Sequence, residues 1–143
     1  MGAKELVEDF ILRCDDALRG DDADPYSLMS PDVNVRVQGR TFISGEHPGL
    51  TIVKKVLVEV LAERVAKARV ETLAIIGEGG RVATKLKVTG ETFDGQVYNP
   101  DGEPCGCIFG VEEGLITEVV LYLDNVMVET VLIGRRFVAE GDR

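Results

Sequence analysis

The sequence lacks a long hydrophobic run. No stretch of consecutive apolar residues reaches the roughly 18 that a membrane-spanning helix needs. The beginning, Met1-Gly2-Ala3-Lys4-Glu5, also lacks the layout of a secretory signal peptide, in which an apolar segment follows basic residues. We therefore expect a cytoplasmic protein with no membrane partner.

Basic side chains are scarce relative to acidic ones. The chain has 16 lysines and arginines against 25 aspartates and glutamates, which gives a formal charge of −9. A surface with this balance repels phosphate backbones and anionic lipids. Nucleic acid is therefore excluded as an expected partner.

Metal-binding patterns are absent as well. The three cysteines, Cys14, Cys105 and Cys107, do not have the spacing of a zinc site, and we expect them to be reduced thiols. The acidic residues between 15 and 24 do not follow the spacing of a calcium loop. The glycine-rich segment 77–80 is not followed by a helix, so it is not typical of a phosphate-binding loop. We expect no metal and no cofactor.

The composition is that of one globular domain over residues 1–143, with 45% hydrophobic and 29% charged side chains. Apolar residues recur at helical spacing between Lys4 and Arg19, and Asp24-Pro25 is typical of the start of a short helix. Alternation over residues 33–37 predicts a strand, and 39–49 is rich in turn formers. Thr51 is then predicted to cap a long helix that continues to Val65.

The remainder of the chain is predicted to form a sheet. Strands are expected at 69–76, 81–92, 105–111 and 115–123, with hairpin turns at 77–80 and 112–114 and a loop at 94–104. Asp124 is expected to cap a last helix that ends near Gly134. The last strand is apolar on both faces, and large exposed apolar surfaces are rare on monomers. We therefore expect a homodimer that packs through this sheet.

Five segments carry a resemblance to a known superfamily: PDVNVRV at 31–37, SGEHPG at 44–49, FDGQVYN at 93–99, the stretch from Ile108-Phe109 to Glu118, and LYLD at 121–124. Together with the order of helices and strands, they resemble the nuclear transport factor 2-like superfamily, in particular its SnoaL-like and ketosteroid isomerase-related branch. The resemblance implies an α+β fold shaped like a cone, in which a curved antiparallel sheet wraps around a long helix and shorter helices.

The catalytic positions of these relatives are not retained. The resemblance places the aspartate base of ketosteroid isomerases at Val37, their tyrosine at Arg13 and their second acid at Cys107. It places the histidine and aspartate of SnoaL-like cyclases at Cys107 and Leu121. Valine and leucine cannot transfer protons, so none of these mechanisms transfers directly.

Two residues remain as catalytic candidates. His47 is the only histidine and could act as acid or base, or it could be an exposed loop residue. Cys107 shares a strand face with Cys105 and could be a nucleophile, although a cysteine in an apolar pocket keeps its proton and acts as a small apolar side chain. Tyr26 and Tyr98 could offer hydroxyl groups to a ligand or could simply pack.

The resulting hypothesis is a protein that binds a small hydrophobic molecule, of steroid or polyketide type, inside the cone. If it is an enzyme, the resemblance implies isomerisation or cyclisation. The alternative is a ligand carrier, or a dimeric interaction module, that performs no chemistry. The residues predicted to line the pocket are Tyr26, Val37, Tyr98, Cys105, Cys107, Phe109, Val119, Leu121 and Leu123.

Overall fold

The computed structural model describes residues 2–132. Helix α1 is Ala3–Leu18, a 3₁₀ turn covers Tyr26–Leu28, and helix α2 spans residues 50–62 with a π-helical middle at Val53–Val58. A short helix α3 spans residues 125–132. The strands are β1 Met29–Val37, β2 Gly45–Pro48, β3 Val65–Glu78, β4 Arg81–Thr92, β5 Val97–Tyr98, β6 Pro104–Glu112 and β7 Leu115–Tyr122.

Helix α1 forms as the apolar spacing predicts. Leu6, Val7 and Ile11 lie on its buried face, and Gly20 follows its last turn with a φ of +86°. A positive φ is favourable for glycine because the residue has no Cβ. Within residues 2–132, no helix is both long and apolar enough to cross a membrane.

The strands form one sheet in the order β2-β1-β7-β6-β4-β3, with β5 paired to β4. All the pairs are antiparallel except β1 with β7, which is parallel. The predicted α+β architecture is confirmed, and the single parallel pair makes the sheet mixed rather than purely antiparallel. The end predicted for the last helix, near Gly134, lies outside the described residues.

Several predicted boundaries are wrong. The segment 39–49, predicted to be a loop, contains strand β2, and the loop 94–104 contains β5. At four and two residues, the strands are too short to show an alternating pattern, and each pairs with the strand that precedes it in the chain. Helix α2 begins after Gly49, which has a φ of +87°, rather than at a Thr51 cap, and Val65 opens strand β3.

The inner face of the sheet carries two rows of buried side chains that run across the strands. One row, in register order, is Val35, Val119, Phe109 and Val82; the next is Val37, Leu121, Cys107 and Thr84. Phe109 packs edge-to-face against Phe10 of α1, with 5.9 Å between the ring centres. The inward parity predicted for residues 107, 109, 119 and 121 is therefore confirmed.

The outer face carries a different row, one residue further along each strand. It consists of Arg36, Val120, Ile108, Ala83 and Ile76. Ile76 is 73% exposed, whereas Val120 and Ile108 are half-buried. This face is apolar at its centre.

Candidate functional site

An open cleft of about 380 Å³ lies where β6 begins and β7 ends. The chain reaches it from four sides: the end of β4, the strand β5 with its following turn, the start of β6 and the segment after β7. Most of the lining is apolar or aromatic. The lining residues are Val88, Tyr98, Asn99, Glu103, Pro104, Cys105, Gly106, Tyr122, Leu123 and Asp124.

Tyr98 supplies the cleft with a hydroxyl group that has no partner among residues 2–132. The residue is only 5% exposed, because its side chain belongs to the hydrophobic core. Burial, followed by the nearby Cys105 and Asp124, raises the pKa of Tyr98 to about 12. The phenol is therefore protonated at neutral pH and can donate a hydrogen bond to a molecule in the cleft.

Two carboxylates stand at the rim of the same cleft. Asp124 accepts a hydrogen bond from the backbone N–H of Met127 at 3.1 Å, which confirms its predicted role as a helix cap. That bond uses Oδ1, so Asp124 retains further acceptor capacity. Glu103 is exposed. Its backbone is held in position by a hydrogen bond, in which its N–H donates to Asn99 Oδ1 at 2.9 Å.

Asn99 holds the turn that closes one side of the cleft. Its Nδ2 donates to the carbonyl oxygens of Val88 and Glu103, both at 2.8 Å, and its backbone has a φ of +53°. The buried amide thus ties the turn 99–103 to strand β4. The sequence indicated a turn here but did not indicate that Asn99, Glu103, Tyr122 and Asp124 would surround a cleft. The Asn-Pro-Asp-Gly pattern at 99–102 was the available signal.

The two cysteines of β6 have different surroundings. Cys105 lines the cleft and is half-buried, and burial raises its pKa. Cys107 is only 3% exposed, and its pKa is raised further, first by burial and then by Cys105 and Cys14. Both thiols keep their protons at neutral pH, and Cys107 packs as an apolar side chain.

His47 lies in strand β2 rather than in a loop, and it is buried instead of exposed. Its Nε2 is 2.8 Å from the carbonyl oxygen of Ile43; since a carbonyl can only accept, Nε2 carries the proton. Three strand spacings, about 14 Å along the sheet, separate β2 from the β6 strand that holds Cys107. The structure does not bring His47 and Cys107 together as a dyad.

Tyr26 lies outside the described cleft. It is on the 3₁₀ turn, where Lys54 of α2 sits 4.5 Å above the centre of its ring. Arg13 is also engaged elsewhere, since it pairs with Asp9 at 3.1 Å and donates to the carbonyl oxygen of Asp24. Neither residue lines the cleft.

The other predicted pocket residues divide into two groups. Tyr98, Cys105 and Leu123 line the cleft. Val37, Cys107, Phe109, Val119 and Leu121 belong to the inner rows of the sheet, and all of these except Leu121 are less than 9% exposed. In the part of the chain from 2 to 132, no group of three or more His, Cys, Asp or Glu side chains is placed to hold a metal ion.

Comparison by sequence finds no relative: no protein-family model matches the chain, and no curated protein matches it. Solved structures do match over nearly the whole length. A nuclear transport factor 2-like protein of unknown function from Burkholderia pseudomallei superimposes with a TM-score of 0.75 at 14% identity, covering 92% of this chain and 98% of that one.

Two further structures bear functional descriptions. TerC, co-crystallised with polyporic acid, has a TM-score of 0.72 at 18% identity, and the match covers 92% of this chain and 98% of the TerC chain. A candidate SnoaL-like polyketide cyclase from Jannaschia sp. CCS1 has a TM-score of 0.65 at 19% identity, covering 95% and 97%. At these identities the likeness establishes the fold. The chain has the fold of the nuclear transport factor 2-like superfamily, as the resemblance of its segments implied.

Proposed function

We propose that this protein is a cytoplasmic, single-domain member of the SnoaL-like and ketosteroid isomerase-related branch that binds a small hydrophobic molecule. The observation that carries the proposal is the cleft of about 380 Å³, whose lining is mostly apolar and aromatic. Ligand sites are typically concave, apolar and equipped with a few polar groups that orient the ligand. Tyr98 and Asp124 are such groups.

The structural neighbours support an aromatic or polycyclic ligand. One neighbour was co-crystallised with polyporic acid, and another is a candidate polyketide cyclase. Tyr98 and Tyr122 would provide ring surfaces for such a molecule, and Leu123 and Val88 would provide aliphatic contacts. Flat aromatic ligands gain affinity from contacts of this kind.

Binding without chemistry is the reading that the site favours. His47 donates to a backbone carbonyl in strand β2, and Cys107 is a buried, protonated thiol. Neither group lines the cleft. A carrier needs no acid or base, and this geometry supplies none from the two sequence candidates.

Isomerisation or cyclisation is the second candidate, because Asp124 and Tyr98 share the cleft. A carboxylate can take a proton from carbon beside a carbonyl while a phenol donates to the carbonyl oxygen. Both residues belong to the lining of the cleft. Turnover that disappears in both Asp124→Asn and Tyr98→Phe would favour this candidate.

The binding proposal is tested by thermal shift and calorimetry with a panel of steroids and aromatic polyketides that includes polyporic acid. A Cys105→Phe variant should fill the cleft and abolish binding. Leu12→Phe is the matched control, because Leu12 is 64% exposed on helix α1 and does not line the cleft. Failure of every compound to bind the unmodified protein would overturn the proposal.

We also propose that the partner is a second copy of the chain, packed through the outer face of the sheet. Helices α1 and α2 contribute buried residues to the inner core, whereas the outer row presents Ile108, Val120 and the 73% exposed Ile76. Light scattering should give twice the chain mass of 15.6 kDa, and Ile76→Lys should shift the population toward monomer. A monomeric mass at micromolar concentration would overturn the dimer.

A further inference from the structure

The cleft combines the hydroxyl donors of Tyr98 and Tyr122 with two negative charges. Tyr98 is nine-tenths buried, faces the cleft and has no hydrogen-bond partner among residues 2–132. The hydroxyl oxygen itself is solvent-accessible, so its hydrogen bond is available to water or to a ligand in the cleft. Because a phenol is also a weak acceptor, its strongest partner is a ligand oxygen.

The ionised side chains of the lining all have the same sign. Asp124 and Glu103 are the ionised groups of the lining, and no lysine, arginine or histidine belongs to it. Lys87 packs against Gly102 on the neighbouring turn, just outside the lining. The protein as a whole carries −9, so its long-range field also disfavours an anion.

We propose that the cleft selects an uncharged ligand that presents a carbonyl or ether oxygen to Tyr98 and a hydroxyl or amide donor to Asp124, and that it rejects carboxylated, phosphorylated and sulfated analogues. The inference rests on the proposed ligand-binding function and narrows it to one class of molecule. An apolar lining alone would not distinguish an acid from its amide, so the preference for an uncharged ligand depends on the polar and charged groups of the cleft.

The two polar contacts would work together. Tyr98 would donate to the ligand oxygen, and Asp124 would accept from the ligand hydroxyl or amide through the acceptor capacity that its helix-capping bond leaves. A carboxylate on the ligand would lie beside the exposed carboxylate of Asp124, and like charges at such a distance repel. Like-charge contacts of this kind are an established basis of discrimination.

The test uses two ligands of nearly the same shape: 1-hydroxyanthraquinone-2-carboxamide and 1-hydroxyanthraquinone-2-carboxylate. Calorimetry at neutral pH should show the carboxamide binding at least about tenfold more tightly than the carboxylate. Asp124→Asn removes the charge but keeps a residue that caps helices well. It should therefore reduce the difference in affinity between the carboxamide and the carboxylate. Glu103→Gln should reduce the same difference.

Two further variants give the controls. Glu112→Gln removes an exposed charge at the opposite end of strand β6 and should leave the difference in affinity between the two ligands unchanged. Tyr98→Phe should weaken the binding of the carboxamide and of the carboxylate by similar factors, because it removes the hydroxyl that donates to both ligands. Circular dichroism of each variant establishes that it is folded.

The outcomes separate this inference from the proposed function. Equal binding of both analogues, or a difference that Asp124→Asn and Glu103→Gln leave intact, overturns the selection while ligand binding stands. Binding of neither analogue when another panel compound binds also overturns it. If no compound of any kind binds, the proposed function fails and the inference fails with it.

Discussion

Asp15 and Arg69 join the last turn of helix α1 to the edge strand β3. The guanidinium donates to both carboxylate oxygens, with distances of 2.9 Å from Nε and 3.0 Å from Nη2. The backbone N–H of Val70 donates to the same carboxylate at 2.9 Å. Asp15 thereby satisfies an N–H group at the free edge of the sheet, where an unpaired group would otherwise be available to another strand.

We expect Asp15→Asn to lower the free energy of unfolding by about 1–3 kcal/mol at pH 7, because it weakens three hydrogen bonds to a buried carboxylate. The hydrogen bond from Arg69 is the main cause that holds the pKa of Asp15 below its ordinary value. A lowered pKa stabilises the folded state above the ordinary aspartate pKa of about 3.9, and this contribution is lost as the pH falls through the folded value.

Urea unfolding at several pH values measures this effect. The difference in the free energy of unfolding between the unmodified protein and Asp15→Asn should have its full value at pH 6–7 and should decrease below about pH 4. Asp16→Asn is the matched control, since Asp16 is a neighbouring residue that pairs only with Arg19 at the surface. A difference that stayed constant down to pH 2 would contradict the assignment.

The contact between Phe10 and Phe109 predicts a large effect on stability. Phe109 is 2% exposed, and its replacement by alanine should cost about 3–5 kcal/mol because a cavity remains in the inner row. Phe93→Ala, at a residue that is 70% exposed, should change stability by no more than about 0.5 kcal/mol. Thermal unfolding of both variants compares them, and similar losses would refute the packing described for Phe109.

The sequence predicted elements whose pattern is local. The apolar stripe of α1, the alternation of β4 and the inward parity of Phe109 with Val119 follow from the periods of helices and strands. It did not predict β2 or β5, because each has only four or two residues, too few to show an alternating pattern among the turn-forming residues around it. The cleft was predicted only in part. Cys105 and Leu123 were predicted because they follow the alternation of a strand, whereas Glu103 and Asn99 were not, because a turn places them.

The cysteines should differ in reactivity toward iodoacetamide. Burial raises the pKa of Cys14 to about 12 and that of Cys107 further, whereas Cys105 is half-buried at the cleft. At pH 7.5 we expect Cys105 to be alkylated at least about tenfold faster than Cys107, and all rates to rise with pH because the thiolate is the reactive form. Peptide mass spectrometry measures each site, and urea-unfolded protein, in which the three should react alike, is the control.

Replacement of His47 distinguishes a structural histidine from a functional one. His47→Ala removes the bond from Nε2 to the carbonyl oxygen of Ile43 and should lower the free energy of unfolding by about 1–3 kcal/mol. Since His47 is in β2, away from the cleft, the dissociation constant of any ligand found in the panel should change by less than about twofold. Glu46→Ala, at the exposed neighbouring residue, should affect neither quantity. Loss of ligand affinity or of turnover in His47→Ala, with stability unchanged, would instead place the histidine in the working site.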